Sequence, residues 1–231
     1  MCGRFTISVE PGELAEVLGV ESVPEVRKRY NVAPTQTILA ARVNYAGKRE
    51  AALFHWGLIP SWSEDPKIQY STINAKSETA AHKPAFRSAF KRRRCIIPAD
   101  GFFEWAKVGK EKRPHWFHRK DGKPFVFAGL WERWQPESGD AIESCTIMTT
   151  EANEVVKPFH DRMPVILPRR HYQIWLTAPA TEAERLADLL VPFDAGLMTR
   201  YPVSSLVNKP QNDVPECALE VENPETQARL W

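Results

Sequence analysis

Nineteen prolines spread through this 231-residue chain exclude long helices. Proline fixes φ and lacks a backbone N–H, so it breaks helix interiors and is kept out of central strands. Beside only eleven glycines, the prolines predict many short elements joined by rigid turns. Because 43% of the residues are hydrophobic, the chain can still bury a core. We expect one loop-rich mixed domain, and no repeat or linker divides it.

Short apolar segments with β-branched and aromatic residues predict most of the regular structure. Strands are predicted at 35–43, 50–58, 95–98, 101–105, 113–119, 124–131 and 142–150, and short helices at 11–18 and 84–90. Residues 29–34 are expected to be an extended loop, since the residue before proline avoids the helical region. The middle of the chain is thus predicted to be an antiparallel sheet.

The location and cofactor content of the protein follow from what the sequence lacks. No apolar run approaches the roughly 20 residues of a membrane span, and the first residues lack the charged-then-apolar order of a signal peptide. We expect a cytoplasmic protein, or a nuclear one in a eukaryote. The four cysteines, Cys2, Cys95, Cys145 and Cys217, have no CxxC spacing and are expected to be reduced thiols. We expect no metal and no other cofactor.

Cys2 is one peptide bond away from being the N-terminal residue. Removing Met1 would make it a 1,2-aminothiol, whose amine condenses with an aldehyde to an imine before the thiol closes a thiazolidine ring. Covalent chemistry at Cys2 is therefore one interpretation. The other is that Cys2 is a small buried residue beginning a strand, since free cysteine is usually inert packing.

The net charge of +2 hides a strong asymmetry. Residues 83–123 contain 13 lysines and arginines and four acids, so this basic window carries +9 and the remainder of the chain −7. Such a surface could follow phosphates, with Phe86, Phe90, Trp105 and Trp116 as stacking partners. The alternative is a solvated helix end, because the helix dipole also favours cations at a C-terminus.

Glu104 and His160 are the ionisable residues in the most unusual surroundings. Glu104 lies between Phe103 and Trp105 and shares a strand face with Phe102, so burial would raise its pKa into an acid/base range. An outward-facing glutamate on an alternating strand is the other interpretation. His160 could move protons near neutral pH, or could lie in a turn with a local salt bridge.

Five motifs taken together resemble the SOS-response-associated peptidase family. In order they are Met1-Cys2-Gly3-Arg4-Phe5, Tyr30-Asn31-Val32-Ala33-Pro34, Ile73-Asn74-Ala75-Lys76-Ser77-Glu78-Thr79, Pro98-Ala99-Asp100-Gly101-Phe102-Phe103-Glu104-Trp105 and His160-Asp161-Arg162-Met163-Pro164. They cover residues 1–164 in the family's order. The resemblance implies a single α/β (α+β) domain over residues 1–231, with an antiparallel, barrel-like β-sheet core flanked by short helices. Within it, Pro210, Pro215 and Pro224 predict that residues 210–231 are a tail on the surface.

The resemblance also implies a DNA damage function, in which a monomeric protein forms covalent crosslinks to abasic sites in single-stranded DNA. Cys2 would be the nucleophile once the protein's own peptidase activity has removed Met1, with Asn74, Glu104 and His160 as the catalytic residues around it. Arg4, Lys76 and Arg162 would hold flanking phosphates and Trp62 would stack beside the lesion. Lys76 departs from the family's usual arginine, and lysine lacks the two-pronged phosphate grip.

Two other functions fit parts of the sequence. An N-terminal-nucleophile amidotransferase would also use a terminal cysteine, with its own amine as the base, but it leaves the basic window unused. A non-catalytic single-strand-binding module would explain the charge and the tryptophans, but not Cys2, Glu104 and His160 together.

Overall fold

The computed structural model describes residues 2–222 of the chain. Its regular structure consists mainly of short strands, as the prolines predict. The strands are β1 Phe5–Ile7, β2 Arg29–Val32, β3 Thr37–Val43, β4 Arg49–Trp56, β5 Asn74–Lys76, β6 Arg94–Ala99, β7 Gly101–Val108, β8 Glu111–Arg119, β9 Phe125–Trp134, β10 Ile142–Glu151, β11 Arg162–Pro164, β12 Ile166–Leu167 and β13 Met198–Pro202. The α-helices are α1 Pro11–Leu18, α2 Ser77–Ala80, α3 Arg87–Arg92 and α4 Tyr172–Thr177, and short 3-10 turns join several of these elements.

One sheet closes on itself into a barrel. Its strands β4, β3, β6 and β9 are antiparallel neighbours, and β10 closes the ring by pairing with β9 on one side and, in parallel, with β4 on the other. Closure removes the unpaired edges that these strands would otherwise expose. Beyond the ring, β5 and β11 also pair with β10, so β10 organises this part of the fold.

The second sheet has five strands in the order β13-β8-β7-β1-β2. Phe5 on β1 lies opposite Phe102 on β7, and Phe102 lies opposite Phe117 on β8, with their rings stacked 5.2 Å apart. The rings of Phe5 and Phe102 meet Phe127 of the barrel edge-on at 5.8 and 6.4 Å. This aromatic layer joins the two sheets into one core.

The predicted fold class is confirmed: the structure is a single α/β domain with an antiparallel, barrel-like core and few, short helices. Helix α1 begins at Pro11 and ends before Gly19, which adopts φ 65° in the left-handed region that glycine tolerates best. The extended loop expected at residues 29–34 is wrong in part, because Arg29–Val32 forms β2 and pairs with β1. That long-range pairing has no local signature.

Residues 204–213 hold β2 in place. The buried Asn31 side chain donates to the carbonyls of Lys209 and Asn212 at 3.0 and 2.7 Å, and Asp213 accepts the backbone N–H groups of Tyr30 and Asn31 at 2.6 and 3.0 Å. In the described part of the expected tail, up to Glu222, Cys217 and Val221 are buried. Residues 223–231 of that tail lie outside the described residues.

Candidate active site

Cys2 is completely buried at the junction of the two sheets. Burial raises the pKa of its thiol, and the negative charge of Glu104 raises it further. The thiol therefore keeps its proton at neutral pH and needs a base before it can attack. Burial alone would fit a packing role, so the groups around Cys2 decide what it can do.

Asn74 holds the backbone of Cys2. Its Nδ2 donates to the Cys2 carbonyl oxygen at 2.8 Å, and β5 fixes its position by running parallel to β10, with Asn74 opposite Ile147. Its Oδ1 is buried and has no hydrogen-bond partner among residues 2–222. A buried amide oxygen without a partner destabilises the fold, which indicates that this oxygen serves another purpose. It places a hydrogen-bond acceptor beside Cys2.

Glu104 is buried in the second sheet, where it pairs with His115 on β8. Glu104 is 5% exposed, and burial raises the pKa of its carboxyl group to about 7. The outward-facing interpretation is therefore wrong and the interior one is confirmed. Near neutral pH this carboxyl group populates both its acid and its base form.

His160 lies at the end of the turn between β10 and β11. Its Nδ1 accepts the backbone N–H of Arg162 at 2.9 Å, and burial lowers its pKa. The ring is thus neutral at pH 7 with its proton on Nε2, which makes Nε2 a donor. The local salt bridge considered for this turn does form, between Lys157 and Asp161 at 3.6 Å, without involving the ring.

Glu104 and His160 line one open pocket of about 480 Å³. Its other walls are Trp105, Lys107, Lys112, Phe159 and Asn208. Cys2 accepts a hydrogen bond from Asn74, and the charge of Glu104 raises the pKa of its thiol. The structure therefore brings all four predicted catalytic residues to one place.

The sequence indicated no site role for His115 and Asn208. His115 lies opposite Glu104 and packs on Phe159 with 4.7 Å between ring centroids. The register of the β7–β8 hairpin could have predicted this pairing. Asn208 accepts a hydrogen bond from the indole N–H of Trp105 at 2.7 Å, but it is about 100 residues away in sequence and has no local signal.

The predicted DNA-contacting residues lie in different surroundings. Trp62 is 59% exposed, and Lys76 is exposed two residues after Asn74. Arg4 donates to the Asn31 Oδ1 and the Val207 carbonyl at 2.7 and 2.6 Å. Arg162 donates to both carboxylate oxygens of Glu78 and to the Thr149 carbonyl. Trp62 and Lys76 are thus accessible, whereas both arginines are engaged within the protein.

The basic window divides into two regions. Lys107 and Lys112, near the tip of the β7–β8 hairpin, line the site pocket. Residues 91–94 line a separate pocket of about 600 Å³, with Arg42 and Trp131. Arg42 bonds Glu143 near the start of β10, and Arg162 bonds Thr149 near its end. Glu143 and Thr149 are six residues apart on β10, a distance of about 20 Å along the strand.

Half of the basic run at 91–94 has structural partners. Arg94 is almost fully buried and donates to four backbone carbonyls, those of Phe90, Lys91, Trp175 and Ala178. Arg93 bonds Glu132 at 2.5 Å. The cation preference of a helix C-terminus accounts for Arg94, and the carboxylate of Glu132 accounts for Arg93.

The described part of the chain has no cluster of three or more His, Cys, Asp or Glu residues able to hold a metal ion. Within the same range, no helix is long and apolar enough to cross a membrane.

Comparisons with known proteins agree on one family. Residues 1–210 match the family described as SOS response associated peptidase (SRAP). The chain is 44% identical over 227 residues to the abasic site processing protein YoaM of Bacillus subtilis, covering 96% of this chain and 99% of the relative. It is 32% identical to the abasic site processing protein HMCES of Xenopus tropicalis, covering 96% and 78%. A crystal structure of a Bacteroides thetaiotaomicron protein superposes with a TM-score of 0.83 at 28% identity, covering 95% of this chain and all of that one.

Glu104→Gln should remove a pH dependence of stability. The carboxyl pKa is about 7 in the folded protein against 4.5 for a free group, so the folded state binds the proton more tightly. Wild-type stability should therefore fall as the pH rises from about 4.5 to about 7, by roughly 3 kcal/mol from this group. Urea unfolding should show that the free energy of unfolding of wild type falls by that amount relative to Glu104→Gln as the pH rises across this range.

Glu78→Gln is the matched control. A hydrogen bond from Arg162 lowers the pKa of Glu78, so its contribution is lost only below the ordinary range of a glutamate. The difference between this variant and wild type should stay level between about pH 5.5 and 8. A level difference for Glu104→Gln as well would contradict the raised pKa.

Proposed function

The chain belongs to the SOS response associated peptidase family, and we propose that it is an abasic site processing protein that crosslinks to abasic sites in single-stranded DNA through Cys2. The names of its relatives support the substrate. The observation that carries the proposal is Cys2 at position two, with its carbonyl bonded to Asn74 and its thiol beside a glutamate of pKa about 7.

The chemistry requires an N-terminal cysteine. In the ring-opened form of an abasic deoxyribose, C1′ is an aldehyde. The Cys2 amine adds to C1′, and loss of one water gives an imine. The thiol then adds across the C=N bond, so that a C–S bond forms and the thiol proton ends on nitrogen. The product is a thiazolidine, and no oxidant or reductant is needed.

Glu104 is the acid/base group of this sequence. In its acid form it protonates the hydroxyl that leaves as water, and in its base form it takes the thiol proton. A pKa of about 7 makes both forms available at neutral pH.

Asn74 and His160 orient the reactants. The unpartnered Oδ1 of Asn74 accepts a hydrogen bond from the Cys2 amine and points its lone pair at C1′. The Nε2–H of His160 donates to the sugar hydroxyl released on ring opening or to the charge that develops there. The role of Asn74 follows from its buried Oδ1, and that of His160 from the tautomer that its Nδ1 contact sets.

The strand is bound by charge and stacking. Lys107 and Lys112 hold phosphates at the rim of the pocket, Lys76 holds one beside Asn74, and Trp62 stacks on a base beside the lesion. The same site removes Met1 by hydrolysis of the Met1–Cys2 bond. The protein acts as a monomer, in the cytoplasm at the nucleoid or, in a eukaryote, in the nucleus.

A protein whose Cys2 amine is blocked and a protein that lacks the Cys2 thiol should lose crosslinking at different steps. A permanent extension ahead of Cys2 places the amine in a peptide bond, so neither imine nor crosslink should form. Cys2→Ala after Met1 removal keeps the amine, so borohydride should still trap an imine, but no stable crosslink should remain. Denaturing gels of each protein with abasic single-stranded DNA measure both products. Wild-type crosslinking by the extended protein would rule out the mechanism.

Glu104→Gln should slow crosslinking by about 100-fold, the size expected for loss of general acid/base catalysis. Reversible binding of intact single strands should be unchanged, since the carboxyl group is buried. Glu132→Gln is the control, because Glu132 is equally buried but pairs with Arg93 away from the pocket. A Glu104→Gln protein with the wild-type single-turnover rate would exclude the proposed role.

Reversing the pocket lysines should weaken the salt dependence of DNA binding. Each phosphate contact contributes about 0.7 to the slope of log K against log salt for single strands. Lys107→Glu with Lys112→Glu should therefore reduce the slope by about 1.4. Lys91→Glu with Arg92→Glu, an equal charge change at the distant pocket, should leave it unchanged. The opposite pattern, measured by fluorescence anisotropy, would move the strand to the other pocket.

A further inference from the structure

Glu78 and Arg162 form an ion pair that joins two segments of the site. Arg162 Nη1 donates to Glu78 Oε1 at 2.6 Å and Nη2 to Oε2 at 2.9 Å. Nη2 also donates to the Thr149 carbonyl at 2.6 Å. A two-pronged arginine–carboxylate pair fixes direction as well as distance. The Arg162 side chain is 14% exposed and that of Glu78 49%, so the pair is partly shielded from solvent.

Each partner lies next to a residue proposed for catalysis. Glu78 is in α2, four residues after Asn74 and directly connected to β5. Arg162 begins β11, two residues after His160, and its backbone N–H holds His160 Nδ1. Strands β5 and β11 flank β10, where Thr149 lies opposite both Lys76 and Pro164. The Arg162 side chain therefore crosses β10 and ties the Asn74 segment to the His160 segment.

We propose that Glu78 is a positioning residue for the crosslinking reaction, acting through Arg162 to fix Asn74 and His160 relative to each other. The inference rests on the proposed function and adds a residue to it. Asn74 sets the direction of the Cys2 amine and His160 the position of the sugar hydroxyl, so a shift between their segments separates the reacting atoms. A displacement of about 1 Å can reduce a rate by as much as 100-fold.

The same geometry changes the role of Arg162. Both of its terminal nitrogens are bonded within the protein, and its Nε is buried without a partner among residues 2–222. To grip a phosphate in two-pronged fashion, Arg162 would have to release Glu78. The contacts instead make Arg162 the connection through which Glu78 acts.

The test compares Glu78→Gln with Glu143→Gln in the full-length protein. Glu143 pairs with Arg42 at 2.6 Å near the other end of β10, with side-chain exposures of 29% and 15%. This control removes an ion pair of the same length near the opposite end of β10 and away from the pocket, and Arg42 keeps its second pair with Glu50. Rates are measured at saturating abasic DNA, and affinity is measured separately on intact single strands.

If Glu78 positions the site, Glu78→Gln should lower the maximal crosslinking rate at least tenfold without weakening binding, and Glu143→Gln should keep the wild-type rate. The exchange Glu78→Arg with Arg162→Glu should recover part of the rate lost by either single change, because it restores the tie with reversed charges. An unchanged maximal rate with tighter binding in Glu78→Gln would overturn the proposal, since Glu78 would then only compete with phosphate for Arg162.

A second measurement does not depend on crosslinking. In wild type, the ¹⁵N shifts of the His160 ring should show a neutral tautomer with the proton on Nε2, and Glu78→Gln should increase the Nδ1–H share while Glu143→Gln does not. If wild type forms no crosslink, the proposed function fails, and these shifts still decide whether Glu78 orders His160. Identical His160 shifts in all three proteins would overturn the positioning role.

Discussion

The pairing of β1 between β2 and β7 is the constraint on which the site depends. Chain ends usually fray because few contacts hold them, yet here Phe5 is fixed opposite Phe102 and its ring packs between Trp56 and Phe127. Two residues beyond Phe102 on the same face lies Glu104, and three residues before Phe5 lies Cys2. A few aromatic contacts therefore set the position of Cys2 relative to Glu104.

Burying ionisable groups costs free energy, and the structure meets that cost differently at Arg94 and at Glu104. Arg94 keeps its charge because backbone carbonyls at the ends of α3 and α4 accept from it, and burial still lowers its pKa to about 10. Glu104 is left with a raised pKa instead. The first arrangement anchors helices, whereas the second leaves a carboxyl group that both gains and loses a proton near neutral pH. Both are consequences of desolvation.

The sequence predicted features that depend on near neighbours. The inward position of Glu104 followed from two-residue alternation with Phe102, and α1 followed from Pro11 and Gly19. What it missed depends on partners distant in sequence: β2 needs β1, Arg4 needs Val207, and Arg162 needs Glu78. The basic window could not be divided from sequence, because Lys91 and Lys107 are near in the chain but lie at the end of α3 and near the tip of the β7–β8 hairpin, which line different pockets. For the same reason, the resemblance to a family named the residues proposed for catalysis but not the contacts that hold them.

The high pKa of the Cys2 thiol sets the order of steps in the proposed reaction. A protonated thiol is a poor nucleophile, so a buried Cys2 does not react with every aldehyde or oxidant that reaches the pocket. The amine must react first: when Glu104 protonates the leaving hydroxyl, loss of water gives an imine still protonated at nitrogen, which brings C1′ within reach of sulfur and places a cation beside Glu104. That cation favours the carboxylate form of Glu104, the form that removes the thiol proton. Formation of the imine thus creates the base for ring closure, and the thiol is activated only when an abasic aldehyde is already bound.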